Sequence, residues 1–152
     1  MSVEGLENLI RRHPAFEGLS EPDLEMLAGC AANRKYAPGE YLARNGDEGE
    51  HTFLIRAGRV GLIVHGRELA ETTGEGDLVG WSWLFPPYQW HFDAKAITAV
   101  RAIELNGGCL RKKCEANPRF GFEITKRFLY QAHRRLERSR LRAMDVYKGS
   151  KS

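Results

Sequence analysis

Five glycines, Gly39, Gly46, Gly58, Gly76 and Gly80, interrupt an alternating apolar pattern that runs from Tyr36 to about Ile103. Glycine carries the chain through positive φ at no steric cost, so each one marks a corner between short strands. Corners about every ten residues suggest a small antiparallel barrel or jelly roll. Phe53-Leu54-Ile55 and Val60-Gly61-Leu62-Ile63-Val64 flank Arg56-Ala57-Gly58-Arg59 and read as a hairpin. His65-Gly66-Arg67-Glu68 is a second turn, with Leu69 to Thr73 returning the chain. The stretch from Ala94 to Leu105 alternates again and stops at Asn106-Gly107-Gly108.

Helices flank this region. The first 35 residues read as helix: Leu6, Leu9 and Ile10 form a small apolar face, and Ser20 with Asp23 makes a capping-box-like start before Leu24, Leu27 and Ala28. Cys109 to Ala116 reads as a short helix. Asn117-Pro118 opens the longest one, with proline where its missing N–H costs nothing. Leu129, Ala132, Leu136, Ser139, Ala143 and Val146 recur at alternating gaps of three and four, the spacing of a coiled-coil seam. A homodimer helix over residues 118–147 is the expectation; packing on the chain's own barrel is the alternative.

Composition limits the function classes. A chain of 152 residues with 42% hydrophobic and 28% charged content fits one soluble domain. No apolar run approaches the ~18 residues of a membrane span, and the N-terminus lacks a signal-peptide pattern. Cys30, Cys109 and Cys114 are odd in number and in no metal-site spacing, so reduced thiols, a cytoplasmic location and no metal or cofactor are expected. Residues 111–152 carry 13 Lys/Arg against 4 Asp/Glu, whereas residues 1–110 are net acidic. Such halves attract one another across a dimer, or the basic half meets an anionic partner. No nucleophile elbow, P-loop, His-Glu-x-x-His or Cys-x-x-Cys occurs, so catalysis is not expected. Asp47, Glu48 and Glu50 read as a solvated acidic turn.

These motifs resemble the cyclic-nucleotide-binding domain family, as in the bacterial catabolite activator and Fnr-like sensor domains. The matching stretches are Phe16-Glu17-Gly18-Leu19-Ser20, Pro38-Gly39-Glu40, Gly46-Asp47-Glu48-Gly49-Glu50, Phe53 to Val60 and Gly76-Asp77-Leu78-Val79-Gly80. The likeness covers about residues 14–147. It implies a mainly β domain with flanking helices: an antiparallel double-stranded β-helix (jelly roll) with a hinge helix over 1–117, and a dimerisation helix and tail over 118–152. It further implies a non-catalytic regulatory or ligand-sensing role, with a protein partner. If residue 152 ends the protein, no helix-turn-helix follows and no sequence-specific DNA binding is expected; the other option is the sensor part of a longer regulator.

The likeness breaks at the phosphate-binding cassette. The family pattern is Phe-Gly-Glu-(apolar)-Ala-Leu and, after a gap, Arg-(small)-(Ala/Thr), with the glutamate on the ribose and the arginine on the cyclic phosphate. Here Trp81 stands at the glutamate and Trp90 at the arginine, with His91 beside it, and no Arg or Lys occurs from Glu68 to Ala94. Removing one partner of a buried charge pair costs about 3–5 kcal/mol, roughly 10²- to 10³-fold in affinity. Ordinary cyclic AMP is therefore expected to bind weakly or not at all, with a receptor using non-standard contacts as the alternative. Six of the fifteen aromatics fall in twelve residues: Trp81, Trp83, Phe85, Tyr88, Trp90 and Phe92. Two arrangements fit. Val79, Gly80, Trp81, Ser82, Trp83, Leu84, Trp90, His91 and Phe92 line a reshaped pocket for a flat or apolar ligand, or the indoles turn inward and fill it.

Overall fold

The computed structural model describes the backbone of residues 3–71 and 76–151 and the side chains of residues 5–67 and 76–145. Thr73 and the side chain of Val146 lie outside the described residues. Helices α1 (Val3–Arg12) and α2 (Glu21–Ala28) precede eight strands: β1 (Ala31–Tyr36), β2 (Tyr41–Ala43), β3 (His51–Ala57), β4 (Val60–Val64), β5 (Arg67–Glu71), β6 (Leu78–Val79), β7 (Asp93–Ala96) and β8 (Val100–Asn106). Helices α3 (Gly107–Ala116) and α4 (Pro118–Lys151) complete the described fold. Two four-stranded antiparallel sheets, ordered β1-β8-β3-β6 and β2-β7-β4-β5, form the jelly roll. The five marker glycines all sit at positive φ, between +89° and +102°.

Three sequence expectations change in the fold. Residues 31–36 form an edge strand rather than the end of the leading helices, because β8 pairs along their whole length and local propensity yields to that ladder. Gly58 is a corner but not a hairpin. β3 pairs with β8 and β6 while β4 pairs with β7 and β5, so the turn carries the chain between sheets. A Cβ at Gly58 would fall 2.1 Å from the Ala99 carbonyl oxygen, which fixes glycine there. The alternating run from Ala94 to Leu105 divides at residues 97–99 into β7 and β8, again in different sheets. The turn at His65-Gly66 does close a hairpin, with Val64 opposite Arg67.

Side-chain alternation along β3 and β8 builds two cores. Phe53, Ile55, Val100 and Ala102 face the roll interior with Val60, Leu62 and Val79. Leu54, Ile103 and Leu105 face the helices, against Ile10, Phe16, Leu24, Leu27, Leu110, Phe120, Ile124 and Phe128. Ser20 caps α2 by accepting from the Asp23 N–H, as the sequence leads one to expect. Asp23 is buried and accepts two bonds from Arg119 of α4, at 2.6 and 3.2 Å. That guanidinium holds the carboxyl below the usual aspartate range.

The cysteines also depart from expectation. Cys30 and Cys109 are joined in a disulfide across 79 residues, and only Cys114 is free. The β1–β8 ladder is the reason: Ala31 lies opposite Leu105 and the Asn106 N–H donates to the Cys30 carbonyl at 2.9 Å. Separation in sequence hides what register brings together. Among the described residues no helix is long and apolar enough to cross a membrane, and no cluster of His, Cys, Asp and Glu suits a metal ion.

Candidate functional site

The cassette spans residues 79–93, between β6 and β7. Gly80 has φ +102°, and a Cβ there would stand 2.7 Å from Cη2 of Trp90. Only glycine permits both the turn and the approach of that ring. Ser82–Leu84 form a single 3₁₀ turn, and Pro86-Pro87 is joined by a cis peptide bond. The segment is then strapped to the acidic turn. The Gly49 N–H donates to the Tyr88 carbonyl, the Trp90 N–H to Asp47 O at 2.9 Å, and the Gly46 N–H to Trp90 O at 2.9 Å. Asp47 also accepts from the Arg44 N–H, and Asp93 from the Asn45 N–H. These acids therefore hold backbone rather than face a ligand.

The nine candidate pocket residues are not gathered into one cavity. Trp90 lies inside the roll at 2% exposure, with ring centroids 6.1 Å from Phe53 and 5.3 Å from Phe92. Val79 shares that interior, and Gly80 touches it. Trp83 points to the opposite side, fully buried, edge-on to Phe128 of α4 at 5.2 Å. Trp81 and Leu84 line an apolar groove of about 470 Å³ with Phe85, Thr125, Phe128, Leu129 and Ala132. Ser82 is half-buried beside Gly49, and His91 is exposed. A peptide without periodicity sends successive indoles in different directions, which residue order alone does not reveal.

Two cations reach the cassette from outside it. Arg111 of α3 donates to the Trp83 carbonyl at 2.7 Å, pairs with Glu50 at 3.5 Å and stacks 4.2 Å over the Tyr88 ring. Arg135 of α4 lies 4.5 Å over the Trp81 ring and donates to the Leu78 carbonyl. Burial pushes Arg135 down to about 10, against the nearby Asp77 charge. Neighbouring Arg138 pairs with Asp77 at 3.1 Å. Sequence reasoning missed both cassette contacts because they come from residues 28 and 54 positions beyond the tryptophans they touch. The charge asymmetry between the halves is the signal that was available. Within this chain Arg119–Asp23, Arg138–Asp77 and Arg111–Glu50 pair the two halves.

Helix α4 has two apolar faces. Phe120, Ile124, Phe128 and Gln131 are buried against the fold, while Leu129 and Leu136 are 68% and 51% exposed on the other face. Ala132 is half-buried, and Ser139 and Ala143 are exposed on that outer face. Arg127 turns inward to the carbonyls of Ala15 and Glu17. The indole N–H groups of Trp81 and Trp83 and Nη1 of Arg135 are buried and meet no acceptor among the described residues.

Known proteins match this architecture. The chain is 25% identical over 145 residues, 93% of its length, to the CRP-like cAMP-activated global transcriptional regulator of Mycobacterium tuberculosis, and spans 63% of that protein. In structure it is similar to a protein of Geobacter metallireducens solved as a cyclic nucleotide-binding protein, with TM-score 0.78 and 23% identity over 90% of this chain and 98% of that one. It is also similar to the regulatory subunit of a cAMP-independent protein kinase A of Trypanosoma brucei, with TM-score 0.61 and 24% identity over 82% and 49% of the two chains. The family model for the cyclic nucleotide-binding domain matches residues 33–117, which cover β2 to β8, the whole cassette and the hinge helix. With the jelly-roll strand order, the glycine corners and this match in agreement, the chain belongs to the cyclic nucleotide-binding domain family.

Proposed function

We propose that this chain is a non-catalytic regulatory domain, dimeric through the outer face of α4, whose nucleotide site is closed to cyclic AMP and cyclic GMP. One observation carries the reading: Trp90 occupies the roll interior, at the position the family gives to its phosphate-binding arginine. A cyclic phosphate entering there would displace a packed indole and gain no guanidinium in return. Arg111 and Arg135 do not replace it, since one is held by the Trp83 carbonyl and the other by that of Leu78. The Trypanosoma brucei protein is the regulatory subunit of a cAMP-independent kinase, which fits a family in which this fold serves without that effector. A cytoplasmic setting and a protein partner are parts of the same proposal. Isothermal calorimetry with both nucleotides is the test; no heat is expected, and binding at micromolar concentration would overturn the reading.

A second reading, ligand sensing outside the roll, is favoured by Trp81 Nε1 and Arg135 Nη1, which meet no acceptor among the described residues where Arg135 stacks on the Trp81 ring of the apolar groove. Anilinonaphthalene sulfonate, an apolar anion, probes it. Saturable binding that disappears in both Trp81→Ala and Arg135→Ala supports this reading, and binding unaffected by either removes it.

A further inference from the structure

We propose that the Cys30–Cys109 bond is a thiol-exchange site, opened by a dithiol, that controls how tightly the hinge helix α3 is held to the rest of the fold. This does not depend on the nucleotide site being closed. The bond ties the turn after α2 to the first turn of α3. There, the Cys109 N–H is capped by Asn106 Oδ1 at 2.8 Å. Cys109 is half-buried and Cys30 is 8% exposed. An open cleft of about 370 Å³ is lined by both cysteines, together with Arg34, His51, Glu104 and Asn106. A small thiol can therefore approach without unfolding the chain.

A thiolate of the dithiol attacks Sγ of Cys109, the more exposed residue of the pair, and the S–S bond breaks. Cys30 leaves as a thiolate and takes a proton from water. The second thiol then closes the reductant's own disulfide and releases Cys109. The N-terminal end of a ten-residue helix stabilises that departing thiolate. Two electrons pass from the dithiol to the protein, and a low-molecular-weight disulfide runs the reaction backwards. In a reducing compartment a bond of this kind is a sensing rather than a permanent link.

What the bond constrains is the connection between roll and α4. Arg111 on α3 grips the cassette at the Trp83 carbonyl, and Cys114 packs against Gly121 of α4. After reduction α3 keeps the buried Leu110 and the bond from Lys113 Nζ to the Met26 carbonyl at 2.7 Å. The reduced domain therefore stays folded while its hinge loosens. Cys114 is not part of the bond: it is free, it packs against Gly121, and burial pushes its thiol up.

Treating the oxidised full chain with dithiothreitol under native conditions tests this. Alkylation should add labels at Cys30 and Cys109. Amide exchange over residues 107–116 should rise about tenfold, with β3 and β8 unchanged. Glutathione disulfide should restore the slow rates. Cys30→Ser should show the fast α3 rate without reductant, and Cys114→Ser should behave as the parent. The proposal is overturned if the bond opens only in denaturant, if α3 exchange does not change, or if β3 and β8 accelerate together with α3. Should Cys30→Ser not fold, the reduction of the parent chain decides alone.

Discussion

The roll interior and the outer face of α4 hold similar side chains in opposite conditions. Inside, Trp90 is 2% exposed and ringed by Phe53 and Phe92; outside, Leu129 is 68% exposed and touches the rim of a groove. In the first region apolar packing is complete within one chain. In the second, Leu129 and Leu136 of the stripe at 3.5-residue spacing stay mostly exposed. The difference teaches where a signal has room to act. A filled interior has little left to recognise, so on the proposed function recognition moves to the helix surface and to the hinge that joins the two regions.

The comparison breaks most readily at Trp90. Trp90→Ala should cost about 3–5 kcal/mol, read as a large fall in melting temperature; a loss under about 1 kcal/mol would mean the interior is not packed as described. Gly80→Ala should cost about 2–3 kcal/mol, because the new methyl meets both positive φ and the Trp90 ring. Urea denaturation measures it. On the outer face the effect is on assembly instead of folding. Leu136→Glu should turn a dimer into a monomer in sedimentation experiments while changing monomer stability by about 0.5 kcal/mol or less. An unchanged oligomeric state would remove α4 as the dimer helix.

The smallest effect concerns pH. Arg119 lowers the folded-state pKa of Asp23, so the unfolded chain binds its proton first as acid is added. Stability from this pair is fully present above the ordinary carboxylate range and falls as pH drops through that range towards the folded value. Asp23→Asn should flatten this part of the stability curve measured by thermal melts between neutral and acid pH. A mutant curve parallel to the parent's would show that the pair is not linked to folding.

Much of this was legible in the chain. Gly39, Gly46, Gly58, Gly76 and Gly80 all mark real corners, because positive φ is a local demand that a sequence records locally. Pairing is not local. Gly58 announces a turn but not that β3 and β4 leave it for different sheets, and Ala31-Ala32-Asn33-Arg34 carries no strand pattern until β8 lies beside it. The absence of Arg and Lys from residues 68–94 was readable directly. Which way each indole turns depends on Gly80, the Gly49 strap and the Arg111 grip acting together. The disulfide was invisible for the same reason as β1: both depend on the register of one ladder.

That ladder has a further consequence for how the protein is made. A chain leaving the ribosome presents residues 31–36 long before their partner at 100–106 exists. For that interval the strand has exposed N–H and C=O groups and no neighbour to satisfy them. Contacts so distant in sequence slow folding and leave nascent chains open to wrong partners. The last strand of the roll, β8, is also the one that docks between β1 and β3, so the nascent roll matures late and all at once.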